Sequence, residues 1–341
     1  MLEGIFSVLA AGQPGVIVGP IARFLGVIYN AVFNVIYSIA PDESLGIAII
    51  VFTILVKTVL MPLIYKQQKS TFAMQKIQPE MQKIQKKYAG KKDPESQQKM
   101  ALEMQKLQKD NNISMFGGCL PLLVQLPILY ALFYIFQQAF MYIDVVAQNY
   151  ESISQVLLSI PTQLRLDLLT NVIIQHDLTI DVASLSDLVQ LVNTMTSTDW
   201  QQVLAGAGEF ASQLTPLLAE KANLETFLGI SLVEAPGLSF PGILLPIVAG
   251  LTTYLSTYVM TRQNNQSKSQ EQSEDPTAQA MQSMKMMNYM MPVIMGVMCI
   301  NMPGGLGIYW TVSNLIQVVQ TMFFHRYFQR HGIKEAKHAN R

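Results

Sequence analysis

One side chain in this sequence sits where its chemistry is costly. Lys57 interrupts LGIAIIVFTILVKTVLMPLIY, a 21-residue run over 45–65 with no other charge, and about 20 apolar residues are what a bilayer-spanning helix needs. It stands nine residues before Lys66, about 13 Å along a continuous helix, near the middle of a hydrocarbon layer about 30 Å thick. An ammonium there costs at least about 2.5–3.5 kcal/mol on insertion scales, so it is expected to face water or a counter-charge. The five apolar runs hold no Asp or Glu. That leaves water, polar side chains or another molecule as its partner. Gln125 lies in a second run, and Trp310, Asn314 and Gln317 in a fifth, the last three spaced for one helix face. These groups either wall a hydrated pocket with Lys57 or tie helices together by hydrogen bonds. The plainer reading of Lys57 is an inward tilt with local thinning of the bilayer.

Nothing in the chain suggests catalysis. His176, His325, His331 and His338 lie outside the runs or at their edge. No Ser/His/Asp set, HExxH pair, Gly-rich phosphate loop or acidic metal cluster has usable spacing. The expectation is a protein that is not an enzyme and needs neither metal nor cofactor. The three C-terminal histidines, with Arg326 and Arg330, read as a solvated basic tail, best suited to anionic lipid head groups or ribosomal RNA.

The elements that must position these residues follow from composition. Of 341 residues, 50 % are hydrophobic and 13 % charged, with 23 basic against 23 acidic side chains; soluble domains carry roughly twice that charge density. The solvent is therefore lipid for much of the chain. Zero net charge excludes a broadly basic nucleic-acid binder, and no DNA partner is expected. Cys119 and Cys299 both fall inside apolar runs, which excludes a disulfide framework or CxxC metal site. Residues 1–20 have an apolar stretch but no leading basic residue, and Glu3 stands where a signal peptide is positive, so the segment is read as uncleaved.

Five spans are expected, at 45–66, 113–143, 238–260, 288–302 and 305–325. Residues 21–41 carry Arg23, Asn30, Asn34, Tyr37 and Ser38 at helical spacing and are read as an interfacial amphipathic helix rather than a sixth span. Residues 66–112 hold eleven Lys against five acids, the tail from 325 five basic residues against one acid, and 144–237 two basic residues against eleven acids. Short basic segments stay in the cytoplasm. This places 67–112 and the tail 326–341 inside, and 144–237 and the N-terminus outside.

In 67–112, Met74, Ile77, Met81, Ile84 and Tyr88 step by three and four, as do Met100, Met104 and Leu107, around a break at AGKKDPE. Asp93 is a candidate N-cap with Pro94 in the first turn, giving an antiparallel helical hairpin. Met74, Met81, Met100 and Met104 are candidates for receiving apolar partners, since methionine adapts to varied surfaces; heptad spacing of Met74 and Met81 equally suits an internal seam. Nine methionines between Met281 and Met302 add to this usage. Residues 144–237 show short amphipathic helices, around 182–195 and 200–218, expected to form a cap. Residues 262–280 are nearly devoid of apolar side chains, and 261–287 is read as a flexible cytoplasmic loop.

Five blocks can also be read together: KTVLMPLIYKQQKS, QKIQPEMQKIQKKY, GCLPLLVQLPILYALF, FPGILLPIVAGLTTYL and MPGGLGIYWTVSNLIQVVQ. In order and spacing they resemble the five-span core of the YidC family of membrane-protein insertases, over roughly 20–143 and 237–328. The resemblance implies an all-α polytopic protein of the bacterial cell membrane, with a five-helix core, a cytoplasmic helical hairpin and an enlarged extracytoplasmic helical insertion. It implies a hydrophilic groove open to cytoplasm and lipid, in which Lys57 takes the place of the family's Arg, with Gln125, Trp310, Asn314 and Gln317 as wall candidates. Its implied partners are nascent membrane-protein clients and lipids, with the ribosome and a Sec translocon as further candidates. Lys for Arg is a departure, replacing a bidentate fork with a point charge, and the insertion is long for a compact bacterial member. The rival readings are an assembly scaffold without insertion activity and a small-solute transporter with Lys57 as counter-ion; the transporter predicts paired ionisable residues or repeated halves, which the sequence lacks.

Overall fold

A chain in hydrocarbon must satisfy each backbone N–H and C=O within its own segment, so long apolar runs free of turn residues become helices. The computed structural model describes residues 18–91, 93–111, 113, 120–263 and 290–331. The N-terminal segment before Val18, Cys119, most of the expected loop over 261–287 and the tail after His331 lie outside the described residues. In chain order the helices are α1 (Val18–Ile39), α2 (Ser44–Val59), α3 (Met61–Tyr88), α4 (Pro94–Asp110), α5 (Leu120–Gln137), α6 (Asp144–Ser159), α7 (Thr162–Gln175) and α8 (Leu185–Thr194). They continue as α9 (Ser197–Gly206), α10 (Ala211–Glu225), α11 (Leu244–Gln263), α12 (Met290–Ile300) and α13 (Gly304–His331).

A two-stranded hairpin, β1 (Thr226–Phe227) and β2 (Ile230–Ser231), departs from the otherwise helical chain. Thr226 pairs with Ser231 and Phe227 with Ile230. The turn residues Leu228 and Gly229 both have positive φ, 50° and 76°, as a tight I′-type connection requires.

Among the described residues, α1 and Leu244–Arg262 are long and apolar enough to cross a membrane, and α2 with α3 makes a third if that bent pair is one span. Gln125–Gln137 and α12 are apolar but shorter. Length and composition thus admit α1 as a span as well as the interfacial helix expected from its polar stripe. Its Asn30 donates to the Asp144 carboxylate at 2.8 Å.

The run expected to continue to residue 66 as one helix breaks at Leu60, where α3 departs from α2 at 62°. The cause is local. Pro62 lies in the first turn of α3 and has no N–H to continue the α2 ladder. The amides of Leu63 and Ile64 both turn back to the Leu60 carbonyl at 3.0 Å. Thr58 donates to the Ile54 carbonyl at 2.7 Å, a back-bond that favours bending.

The chain divides into two compact units. Of the described residues, one gathers those up to Phe52, within Pro127–Leu245 and within Cys299–Tyr309; the other gathers those within Thr53–Leu126, within Pro246–Met298 and from Trp310 on. In the first, Tyr29 is fully buried and meets Phe52 and Phe136 edge-on, with ring centres 5.3 and 5.8 Å apart. The acidic stretch 144–237 forms α6 to α10 and the hairpin, and its interior is built around paired charge. Arg165, 5 % exposed, donates to the carbonyls of Leu158, Ile160 and Leu157 at 2.7, 3.3 and 3.4 Å, closing the C-terminal end of α6. Lys221 and Glu225 pair at 2.6 Å, and Tyr150 donates to the other Glu225 oxygen. Burial and the Glu225 carboxylate push the Tyr150 hydroxyl well above its ordinary pKa. Thr196 and Asp199 form a capping box on α9, with the His176 ring 2.9 Å from Asp199.

The start of α13 shows why two glycines follow Pro303. Gly304 N–H donates to the Glu234 carbonyl at 3.0 Å and Gly305 N–H to that of Leu232 at 2.8 Å. A Cβ on Gly304 would stand 2.1 Å from the Ser231 carbonyl oxygen, so only glycine lets this helix end reach its acceptors.

In the second unit, α3 and α4 form the hairpin. Asp93 caps α4 by accepting from Ser96 N–H at 2.8 Å, and Glu103 accepts from Lys87 at 2.6 Å and from the Tyr88 hydroxyl at 2.9 Å. Phe72 of α3 clusters with Phe324 and Phe328 of α13. α11 and α12 cross at Gly250 and Gly296, where added Cβ atoms would lie 3.4 and 3.3 Å from the carbonyl oxygens of Pro292 and Pro246, a small-residue contact of the kind that brings membrane helices close.

Candidate functional site

Lys57 is in the last turn of α2, three residues before the break. The 13 Å depth that a straight helix to Lys66 would give therefore does not apply along one axis. The side chain is 9 % exposed, and among the described residues no hydrogen bond or ion pair reaches its ammonium. Among the described residues its compensation is main chain: the last carbonyls of a helix carry partial negative charge, which favours a cation there. Thr53, fully buried, stands four residues earlier on the same helix face. A buried, unpaired ammonium is costly unless water or an incoming anion shares its space.

The second feature joins α11 to α13. Trp310 donates from Nε1 to Thr253 Oγ1 at 3.1 Å, and Asn314 donates from Nδ2 to the same oxygen at 2.8 Å. The Thr253 hydroxyl in turn donates to the Ala249 carbonyl at 2.7 Å. One buried oxygen thus carries three hydrogen bonds and fixes the orientation of an indole and an amide. Gln317, one turn beyond Asn314, is half-buried and makes no hydrogen bond among the described residues. Gln125 is half-buried on α5. Of the five residues singled out, the structure brings Trp310 and Asn314 together through Thr253, and it hydrogen-bonds Lys57 to none of the other four.

Thr253 is the residue that sequence reasoning missed. The signal was the cluster of hydroxyls in LTTYLSTYVMT, where Thr252, Thr253 and Ser256 are all buried. Two further polar contacts lie along α13: Gln68 donates to Thr321 Oγ1 at 3.1 Å, and Gln320 reaches Met61 Sδ at 3.7 Å.

On the hairpin, Met100 is buried, while Met74, Met81 and Met104 are half-buried. That burial suits packing between α3 and α4 and leaves part of three thioethers open. Among the described residues no group of three or more His, Cys, Asp or Glu is placed to hold a metal ion.

Comparison with known proteins adds an independent line. The family model described as 60Kd inner membrane protein matches residues 35–331. A protein of Clostridium perfringens named membrane protein insertase YidC is 31 % identical over 310 residues, 90 % of each chain. Proteins of the same name are 29 % identical in Alkalihalophilus pseudofirmus, over 83 % of this chain and 73 % of that one, and 27 % identical in Clostridium tetani, over 92 % and 94 %.

Proposed function

Because this chain belongs to the 60Kd inner membrane protein family, we propose that it is a membrane-protein insertase of a bacterial cell membrane, which also assists the folding of its clients. It crosses the membrane several times, with the N-terminus outside and the basic hairpin and C-terminus in the cytoplasm. The carrying observation is Lys57, buried to nine-tenths with no counter-charge among the described residues. In this reading its ammonium lies in a hydrated groove that also takes in Gln125, Trp310, Asn314 and Gln317, with Thr253 holding the indole and the amide in place.

A nascent client meets the α3–α4 hairpin, where the open parts of Met74, Met81 and Met104 accept its apolar side chains. Its polar flank enters the groove, which shortens the path through hydrocarbon and lowers the barrier. An acidic client residue is drawn to Lys57, and with the inside negative its export is favoured by about 2.3 kcal/mol per charge per 100 mV. The client helix then partitions into lipid, which supplies the net driving force without a nucleotide. Ribosome and Sec translocon are partners in the same scheme, as suppliers of the nascent chain.

The test is insertion of a single-span client with an acidic outer tail into vesicles reconstituted with purified protein. Lys57→Ala is expected to slow insertion about tenfold, ~1.4 kcal/mol of barrier, and Lys57→Glu to slow it further. Unchanged insertion with both variants overturns the groove-charge mechanism and favours an assembly scaffold.

A further inference from the structure

Among the described residues, nothing covers one face of the C-terminal end of α13. Phe323, Tyr327 and His331 follow one another at single-turn intervals. The Phe323 and Tyr327 rings stack at 6.5 Å and 19°, and the Tyr327 and His331 rings at 4.6 Å and 28°. This column is open: Phe323 is 62 % and Tyr327 40 % exposed. Together with Met322, Arg326 and Arg330 it borders a groove of about 550 Å³. Both guanidiniums are exposed, and neither has a hydrogen bond or ion pair among the described residues. α13 contains no Asp or Glu, so the helix itself offers them no counter-charge. The opposite side of the same turns is occupied, since Phe324 and Phe328 are buried against Phe72.

Length places this face at a phase boundary. α13 has 28 residues, about 42 Å at 1.5 Å per residue, against a hydrocarbon layer of about 30 Å. If α13 crosses the bilayer, as the proposed function requires, its last two turns stand among head groups, where tyrosine is favoured and a guanidinium fork can hold a phosphate by two parallel hydrogen bonds. We propose that this face binds the phosphodiester head group of an anionic glycerophospholipid of the inner leaflet. Arg326 and Arg330 hold the phosphate, and the Phe323–Tyr327 column lies along the glycerol and the upper acyl chain. Aromatic columns beside arginine also stack nucleic-acid bases. Lipid is favoured here because the column continues directly into exposed apolar surface at Val319, 67 % exposed.

Native mass spectrometry of the full-length protein, equilibrated with phosphatidylglycerol and phosphatidylcholine of identical chains, tests this. Wild type is expected to retain phosphatidylglycerol preferentially. The double variant Arg326→Gln/Arg330→Gln should lose that preference by roughly 25-fold, about fivefold for each cation removed, with phosphatidylcholine retention unchanged. Both positions are exposed, so the fold should survive, and an unchanged melting curve serves as the control. Phe323→Ala should weaken retention of both lipids alike, since it removes apolar contact and no charge. Equal phosphatidylglycerol retention by wild type and the double variant overturns the proposal. So does an intact lipid preference combined with loss of binding to an RNA hairpin, which would assign the face to nucleic acid. The Lys57 insertion assay reads the proposed function separately. Failure there with the lipid preference intact condemns the groove mechanism alone, and the reverse condemns only the lipid site.

Discussion

In the acidic segment 144–237, Arg165 is enclosed by three carbonyls, Lys221 and Glu225 hold each other at 2.6 Å, and Asp199 sits between Thr196 and His176. In the second unit, Lys57 is buried to the same degree and has no such company among the described residues. Buried charges in a structural domain are paired because a lone one costs several kcal/mol. The acidic segment follows that rule, and the exception lies in the unit that also holds the Thr253 network. Perturbed, unpaired charge concentrates where a molecule works rather than where it merely holds its shape.

The comparison is broken or sharpened first by removing one member of the buried pair. Lys221→Ala leaves Glu225 with Tyr150 alone and is expected to destabilise the acidic segment by about 3 kcal/mol, read as a lower melting temperature in detergent. A loss below about 1 kcal/mol would mean that the pair is solvated and the contrast with Lys57 weaker than the geometry indicates. Lys57→Met should behave in the opposite way. Removing a charge that has no partner should cost no stability and should gain up to about 1 kcal/mol, while insertion falls. A clear loss of stability would reveal a counter-charge and put Lys57 in the same class as Lys221.

The smallest effect is expected at Asp199. Burial acts to raise its carboxyl, but hydrogen bonds from Thr196 and the His176 ring outweigh burial and hold it below the ordinary carboxylate range. A depressed carboxyl stabilises the fold at pH values above its unfolded pKa, and that contribution is lost as pH falls through the folded one. The melting temperature of the acidic segment should therefore be flat with pH near neutrality, where the Asp199 contribution is fully present, and drop below about pH 4. Asp199→Asn should be less stable at pH 7 and show a shallower acid slope, with no effect on insertion.

How much of this was legible in sequence depends on how local each signal is. The hairpin was legible because Asp93, Pro94 and the stepping methionines act within a few residues of themselves. Lys57 stood out because a charge in an apolar run needs no partner to be conspicuous. The break at Leu60 was not foreseen, because it falls inside one uninterrupted apolar run and Pro62 sits at a position that a new helix tolerates. Thr253 was missed because a hydroxyl in an apolar helix usually bonds its own carbonyls, as Thr252 and Thr257 do here; its partners are 57 and 61 residues away. The β1–β2 hairpin was hidden because Leu228 adopts positive φ without the Asn-Gly signature that announces such turns.

The break at Leu60 has a mechanical corollary. Past the break, α3 runs 28 residues, about 42 Å, but its first turns are held to α13 through Gln68 and Phe72, so only the stretch beyond Phe72 is an arm. A flex of about 10° there would carry the tip at Tyr88 through roughly 4 Å on a radius of about 24 Å, while Lys57, behind the anchored turns, stays almost still. Such an arm can yield at its tip without disturbing the buried amine.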